Sequence, residues 1–303
     1  MAIDKSFYNK SSADSLGWTP SWFGAEFFDE ELISNVRKWQ KANGLVADGL
    51  VGPTTYRRIN TEREASVTDH KPDYKFYSDN GVQNIVHNGR LIPIKWDKVI
   101  LWNEQGGLKS KPGTYYDYSD KPDREPSFFI NHWDVCLSSK SCSSILDKRG
   151  ISVHFAIDND GTIYQLLDTQ HGAWHAGARE ANKRSIGVEI SNAYYLKYQS
   201  WYVKHGFGER PVKSDAMVHE DQLEDFTWFY PAQIEALRAL WSAVSTGIGI
   251  PLEYPKDSLG ALHTGVHDEC SKATFSGFCN HYNLTKRKID CAGLNLDELM
   301  EGL

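Results

Sequence analysis

The stretch "ISVHFAIDNDGTIYQLL", residues 151–167, holds two β-like runs on either side of Asp158–Gly161. An Asp-Asn-Asp-Gly run between β-branched and aromatic residues is the chemistry of a tight turn, so the stretch predicts a β-hairpin. Outward from it, "PSFFINHWD" (126–134) reads as a buried strand that ends on polar residues, and "RSIGVEIS" (184–191) as a further apolar strand. "YPAQIEALRALWSAVSTGIGIP" (230–251) carries the apolar period of an amphipathic helix, stopped by glycines and Pro251. Strands interleaved with helices around one sheet give an α/β domain, a mixed sheet flanked by helices, expected over residues 96–303.

A different unit precedes it. In "FFDEELISNVRKWQKANGLVADGLVGPTTYRRI" (27–59), Leu32, Ile33, Val36 and Trp39 recur at helical spacing. Asp29 is the expected N-cap and Gly44 the expected stop. A Gly-Asp turn follows, and Pro53 and Thr54 open a second helix. The expectation is a small all-α bundle over residues 1–63, with few polar groups suited to catalysis. Residues 64–95 are polar and mixed and read as linker. The run "EQGGLKSKPGTYYDYSDKPDREP" (104–126) is too long for an ordinary connection, and reads as either a flap over a cleft or an ordered surface insertion.

Composition narrows the function classes. The formal net charge is −7 with no basic run to track a phosphate backbone, which argues against nucleic acid as a partner. No apolar stretch reaches the length of a membrane span. The opening "MAIDKSFYNKSSADSLGW" has no apolar core of a signal peptide, so synthesis in a cytosol is expected. Ten Trp and fifteen Tyr suit core packing and also clefts for carbohydrate or peptide. Five cysteines are too few for a disulfide scaffold; Cys136 and Cys142 are close enough in sequence either to bridge or to stay as buried thiols.

Three clusters lie at strand ends or in loops, where sites tend to sit. His132 ends a buried strand, Glu189 sits inside the apolar "GVEI", and His281, Lys288, Asp290 and Cys291 share the loop "NHYNLTKRKIDCAG" (280–293). Two histidines and one carboxylate or thiolate, with a fourth position open, make a catalytic zinc set.

Residues 127–300 resemble the zinc-dependent N-acetylmuramoyl-L-alanine amidases of the type-2 amidase and peptidoglycan-recognition-protein superfamily. The resemblance rests on "FFINHWD", "SVHFAIDNDGTIYQLLDTQHGAWHAG", "NKRSIGVEISN" and "NHYNLTKRKIDCAG". "WQKANGLVADGLVGPTTYRRI" likewise resembles the type-1 peptidoglycan-binding domain. The amidase resemblance implies a Zn2+ cofactor held by His132 and His281. It places the third ligand two residues after a catalytic Lys, hence Lys288 and Asp290. The chain departs from the family in having Cys after that ligand where Pro is usual, so Cys291, a thiolate donor at about 2.3 Å, stands as the alternative. His267 is a lesser substitute for His281. Some members carry a Tyr before the hairpin His, where this chain has Val153. Glu189 is therefore the expected base, as in the AmpD-like branch, while Trp174 and His175 are expected to line the substrate cleft and His154 to be structural.

The resemblance further implies hydrolysis of the bond between N-acetylmuramic acid and L-alanine, with bacterial peptidoglycan as partner and a monomeric chain. A wall-binding module without a signal peptide looks like a phage endolysin, made in the host cytoplasm and acting on the wall. The rival readings are a non-catalytic wall-binding protein and a zinc peptidase cutting within the stem peptide.

Overall fold

The structure is a computed structural model that describes residues 3–66, 83–121 and 124–303. The chain divides into two units, Met1–Asp69 and His70–Leu303.

The first unit contains helices α1 (Lys5–Leu16), α2 (Glu30–Ala42) and α3 (Pro53–Ser66). Asp29 caps α2 by accepting the amides of Glu31 and Leu32, and the helix ends at Asn43 followed by left-handed Gly44. Leu32, Ile33 and Val36 form its buried stripe. The turn after it is sewn down by two buried amides. Gln40 Oε1 accepts the Gly49 N–H at 2.8 Å, and its Nε2 donates to the Leu50 carbonyl at 3.1 Å. Asn9 Nδ2 donates to the Gly49 carbonyl at 3.0 Å, and its Oδ1 accepts the Val51 N–H at 2.9 Å. Asn9 comes from α1, a helix too polar for its sequence period to announce. Gly49 has φ +78°, and a Cβ there would lie 2.9 Å from Ile33 Cγ2. Gly49→Ala is expected to destabilise this unit by about 1–3 kcal/mol through backbone strain and overpacking. A lowered midpoint in thermal denaturation of the full chain checks it.

The second unit opens with the hairpin β1 (Gln83–His87) and β2 (Arg90–Ile94). This corrects part of the 64–95 linker reading. Residues 67–82 lie outside the described residues, but 83–94 are a hairpin whose Ile85, Ile92 and Ile94 enter the main core. Asn88 and Gly89, both with positive φ, are the signal passed over. Then come β3 (Val99–Leu101), β4 (Tyr115–Tyr116), β5 (Phe128–Trp133), α4 (Ser139–Arg149), β6 (Phe155–Ile157), β7 (Ile163–Gln165), β8 (Gly172–Ala173), α5 (Arg179–Arg184) and β9 (Ser185–Ile190). A short helix α6 (Gln199–Lys204) and two small ribbons follow: β10 (Val212–Lys213) with β13 (Phe226–Thr227), and β11 (Met217–Val218) with β12 (Asp221–Gln222). The chain ends with α7 (Pro231–Ile248), α8 (Asp268–Ser271), β14 (Gly277–Asn280) and α9 (Leu296–Met300).

Six strands form the sheet in the order β14-β5-β9-β6-β7-β3. The first four run parallel, and β6–β7 is the antiparallel hairpin expected around Asp158–Gly161. Side chains alternate across a strand, and this alternation sorts the unit into two faces. Phe129 and Trp133 of β5, Phe155 and Ile157 of β6, and Ile186, Val188 and Ile190 of β9 pack in one core with Leu237, Leu240, Trp241 and Val244 of α7. Trp241 is completely buried, and a ring so placed is worth about 3–5 kcal/mol against truncation. Phe128 and Ile130 belong to a second cluster with Ala181 and Cys279. His132 and Glu189 follow the alternation onto this second face, away from α7.

Candidate metal centre and cleft

Four parallel strands end together at one edge of the sheet, where α/β folds place their ligands. His132 is the penultimate residue of β5, and β5 pairs with β9 so that His132 stands opposite Glu189. On the other side, Asn280 of β14 pairs with Asn131, and His281 follows directly. Neighbouring strands lie about 4.8 Å apart, so three side chains distant in sequence meet. The loop after His281 folds back: the Asp290 carbonyl accepts the Tyr282 N–H at 2.9 Å, which returns its carboxylate to His281.

The result is a triangle of donor atoms. His132 Nδ1 and His281 Nδ1 are 2.8 Å apart, and Asp290 Oδ2 lies 3.1 Å from the first and 2.9 Å from the second. All three residues are buried. Burial and the neighbouring His281 lower the pKa of His132. Burial alone would raise that of Asp290. His281, the contacts of Oδ2 with both histidine rings and the charge of Lys288 outweigh it and hold the carboxylate well below its usual range. Neutral imidazole and ionised carboxylate are the forms that bind metal. Tetrahedral zinc bonds of 2.0–2.1 Å set ligand atoms about 3.3 Å apart, so this set fits zinc after opening by a few tenths of an ångström. Cys291, the alternative ligand, instead packs in the core on the α7 face with Ala292 and Leu294. His267 packs edge-on to His263 and Phe275 and takes no part in the triangle.

Beside the triangle opens a cleft of about 670 Å³, lined among others by Tyr116, Trp174, His175, Arg179, His281 and Lys288. His132, Asp290 and Glu189 are not among the residues that line it. Among the described residues the buried indole N–H of Trp174 finds no acceptor, which leaves a donor for a ligand. His175 does more than line the cleft. Its Nδ1 lies 2.9 Å from His132 Nε2 and its Nε2 lies 3.1 Å from Ser185 Oγ. Burial, then the neighbouring His132, holds its pKa well below the ordinary value. His154 uses both nitrogens within the fold, on the His171 carbonyl at 2.9 Å and the Gly187 N–H at 3.1 Å.

Several contributors escaped the sequence reading. The 104–126 run contains β4, which pairs with β8 and sets Tyr116 edge-on to Trp174 at 5.4 Å, so part of it is a wall of the cleft. Arg124, buried and among the described residues without a carboxylate as hydrogen-bond partner, donates to the carbonyls of Thr169, His171, Lys183 and Ser185 and ties that run to the start of β9. His219, at the tip of the β11–β12 ribbon with φ +53°, donates Nε2–H to the Lys288 carbonyl at 2.9 Å and so anchors the Lys288 backbone. The "YY" pair and the His219-Glu220 turn were the available signals, but nothing local says what they touch. Cys136 and Cys142 are buried thiols near Asp134 that form no disulfide.

The profile of the N-acetylmuramoyl-L-alanine amidase family matches residues 122–290, and that of a putative peptidoglycan binding domain matches residues 20–59. No curated protein sequence matches the chain. Among solved structures, it is similar to an endolysin N-acetylmuramoyl-L-alanine amidase, LysCS, from Clostridium intestinale (16% identity, 62% of this chain and 84% of that one, TM-score 0.34). It is also similar to the E. coli amidase AmiD, solved in complex with an anhydromuramyl tripeptide substrate (23% identity, 48% and 54%, TM-score 0.31). A third is the Drosophila peptidoglycan recognition protein SA (15% identity, 61% and 80%, TM-score 0.31). Likeness at these values carries no weight by itself; the weight lies in the matched residues 122–290.

Proposed function

The chain belongs to the N-acetylmuramoyl-L-alanine amidase family, and on that footing we propose that it is a zinc-dependent hydrolase cutting the amide between the lactyl group of N-acetylmuramic acid and L-alanine in bacterial peptidoglycan. The observation that carries this reading is the meeting of His132 Nδ1, His281 Nδ1 and Asp290 Oδ2 beside the cleft that Lys288 lines. Held by these three, zinc supplies an activated water at neutral pH and a Lewis acid for the scissile carbonyl. Glu189 takes the proton of the attacking water on its carboxylate and passes it to the leaving amine. Lys288 sets its ammonium where negative charge gathers on the carbonyl oxygen, worth about 3–4 kcal/mol on the scale of one oxyanion donor. Trp174 offers its indole N–H to the substrate.

The charge of the cleft supports the same substrate. Arg149, Arg179, Arg287 and Lys288 line it with no carboxylate among the lining residues, although the chain carries a formal charge of −7. A local positive field of this kind draws in a ligand with carboxylates, as a stem peptide has. The unit matched to peptidoglycan binding suits work on an insoluble polymer, because tethering raises the local concentration of the enzyme at its substrate. Host-wall lysis, as an endolysin performs it, is the setting we propose for that pairing. Among the described residues no helix is long and apolar enough to cross a membrane.

Digestion of purified peptidoglycan by the full chain tests this reading. The expected product is a new amino terminus on alanine, lost on treatment with a chelator and restored by zinc. A new terminus on any other stem residue would make the protein a peptidase. Binding to the wall without release of any terminus would leave a wall-binding protein only.

A further inference from the structure

Behind the metal triangle runs a chain of hydrogen bonds whose direction is fixed at its far end. Ser185, the first residue of β9, gives its single hydroxyl proton to the Ala181 carbonyl at 2.6 Å. A carbonyl only accepts, so Ser185 Oγ has lone pairs alone to offer His175 Nε2, 3.1 Å away. His175 Nε2 can therefore only donate to it, and in a ring with one hydrogen Nδ1 is then the acceptor. That acceptor faces His132 Nε2 at 2.9 Å, so His132 holds its own hydrogen on Nε2 and leaves Nδ1 bare. Nδ1 is the atom in the triangle with His281 and Asp290. For a ring with one hydrogen, the reverse direction would need a second proton on Ser185.

We propose that His175, itself oriented by Ser185, is a positioning residue that commits His132 to the tautomer whose Nδ1 binds the metal. The backbone is shaped to allow it. Ser185, Gly187 and Glu189 share one face of β9, and a Cβ on Gly187 would lie 2.4 Å from His175 Nδ1, so only glycine lets the ring lie across the strand beside His132. A partner that fixes the tautomer and ring plane of a ligating histidine typically accounts for about 10- to 100-fold in metal affinity.

The inference rests on the zinc reading of the triangle, and the test separates the two. Zinc affinity of the full chain is measured by chelator competition for wild type, His175→Leu, His175→Asn and Ser185→Ala, beside the melting temperature of each metal-free protein. His175→Leu is expected to weaken zinc binding about 10- to 100-fold. His175→Asn, whose side-chain carbonyl can accept from His132 Nε2–H, is expected to recover most of the loss, and Ser185→Ala to fall between. Nitrogen NMR of His132 in the metal-free chain is expected to show the Nε2–H tautomer in wild type and a mixture in His175→Leu, a signature that loss of packing alone does not produce. Equal affinity in wild type and His175→Leu, or an equal loss in the Asn and Leu variants, overturns the positioning role. A wild-type chain that binds no zinc overturns the metal reading instead, whatever the variants do.

Discussion

Asp290→Ala is expected to lose zinc and wall-digesting activity together, whereas Cys291→Ala keeps both. The two residues are adjacent, and the sequence left either as the third ligand, since a thiolate is as good a zinc donor as a carboxylate. Their surroundings separate them. Asp290 Oδ2 lies within 3.1 Å of both histidine nitrogens. Cys291 is fully buried with Leu294 and Leu296 in the core on the α7 face. Burial, then Asp290 and Glu189, pushes its thiol well above the ordinary value, which disfavours the thiolate in the metal-free chain. A zinc site of four ligands is worth about 10–16 kcal/mol, so one ligand carries about 3–4 kcal/mol, on the order of 10²- to 10³-fold in affinity. Cys291→Ala should instead cost about 1–2 kcal/mol of stability from the small cavity it leaves. Zinc content by atomic absorption, beside thermal melting of each variant, reads both outcomes. Loss of zinc in Cys291→Ala with retention in Asp290→Ala would shift the metal loop by one residue and detach Lys288 from its role.

What was legible in the chain follows from what local chemistry encodes. The strands at 128–133 and 185–190 and the hairpin at 155–165 announce themselves through apolar runs and the Asp-Asn-Asp-Gly turn. The helix from Glu30 to Ala42 does so through its cap and stripe. Long-range register is not encoded locally. That His132 stands opposite Glu189, 57 residues on, and that β14 places His281 one step beyond Asn131, with Asn280 and Asn131 149 residues apart, becomes visible only when those distant strands pair. The same holds for His175, which as part of "AWHAG" reads as a cleft residue. Its bond to His132 depends on Gly187, one strand away, lacking a side chain. Arg124 sits in a polar run that looks like surface. Its burial against four carbonyls is a property of the assembled loops.

Glu189→Gln is expected to lower kcat by about 10²- to 10⁴-fold, the range that general acid–base catalysis contributes, while zinc content and wall binding stay at wild-type levels. The substitution keeps shape and volume, so the protein should fold; what it removes is the capacity to hold a proton. Glu189 is the one carboxylate among Ser185, Ile186, Gly187, Val188 and Ile190 of β9, and it is half-buried on the face that bears His132. A carboxylate in such a strand is costly to desolvate. Its charge acts on His132, favouring the protonated ring, so it lies within electrostatic reach of the triangle. A group kept there at that cost, one strand from His132, is the base we propose, and with zinc bound it would take the proton of the attacking water. The decisive measurement is kcat on a muramyl peptide as a function of pH, with metal content determined on the same samples. In wild type the acid limb of the profile should report a group that must be deprotonated, and Glu189→Gln should flatten that limb as it lowers the plateau. If Glu189→Gln retains wild-type kcat with zinc bound, the base is elsewhere. Val153, at the position where some members of the family carry a tyrosine, offers no replacement, so proton transfer would then fall to a group that lines the cleft.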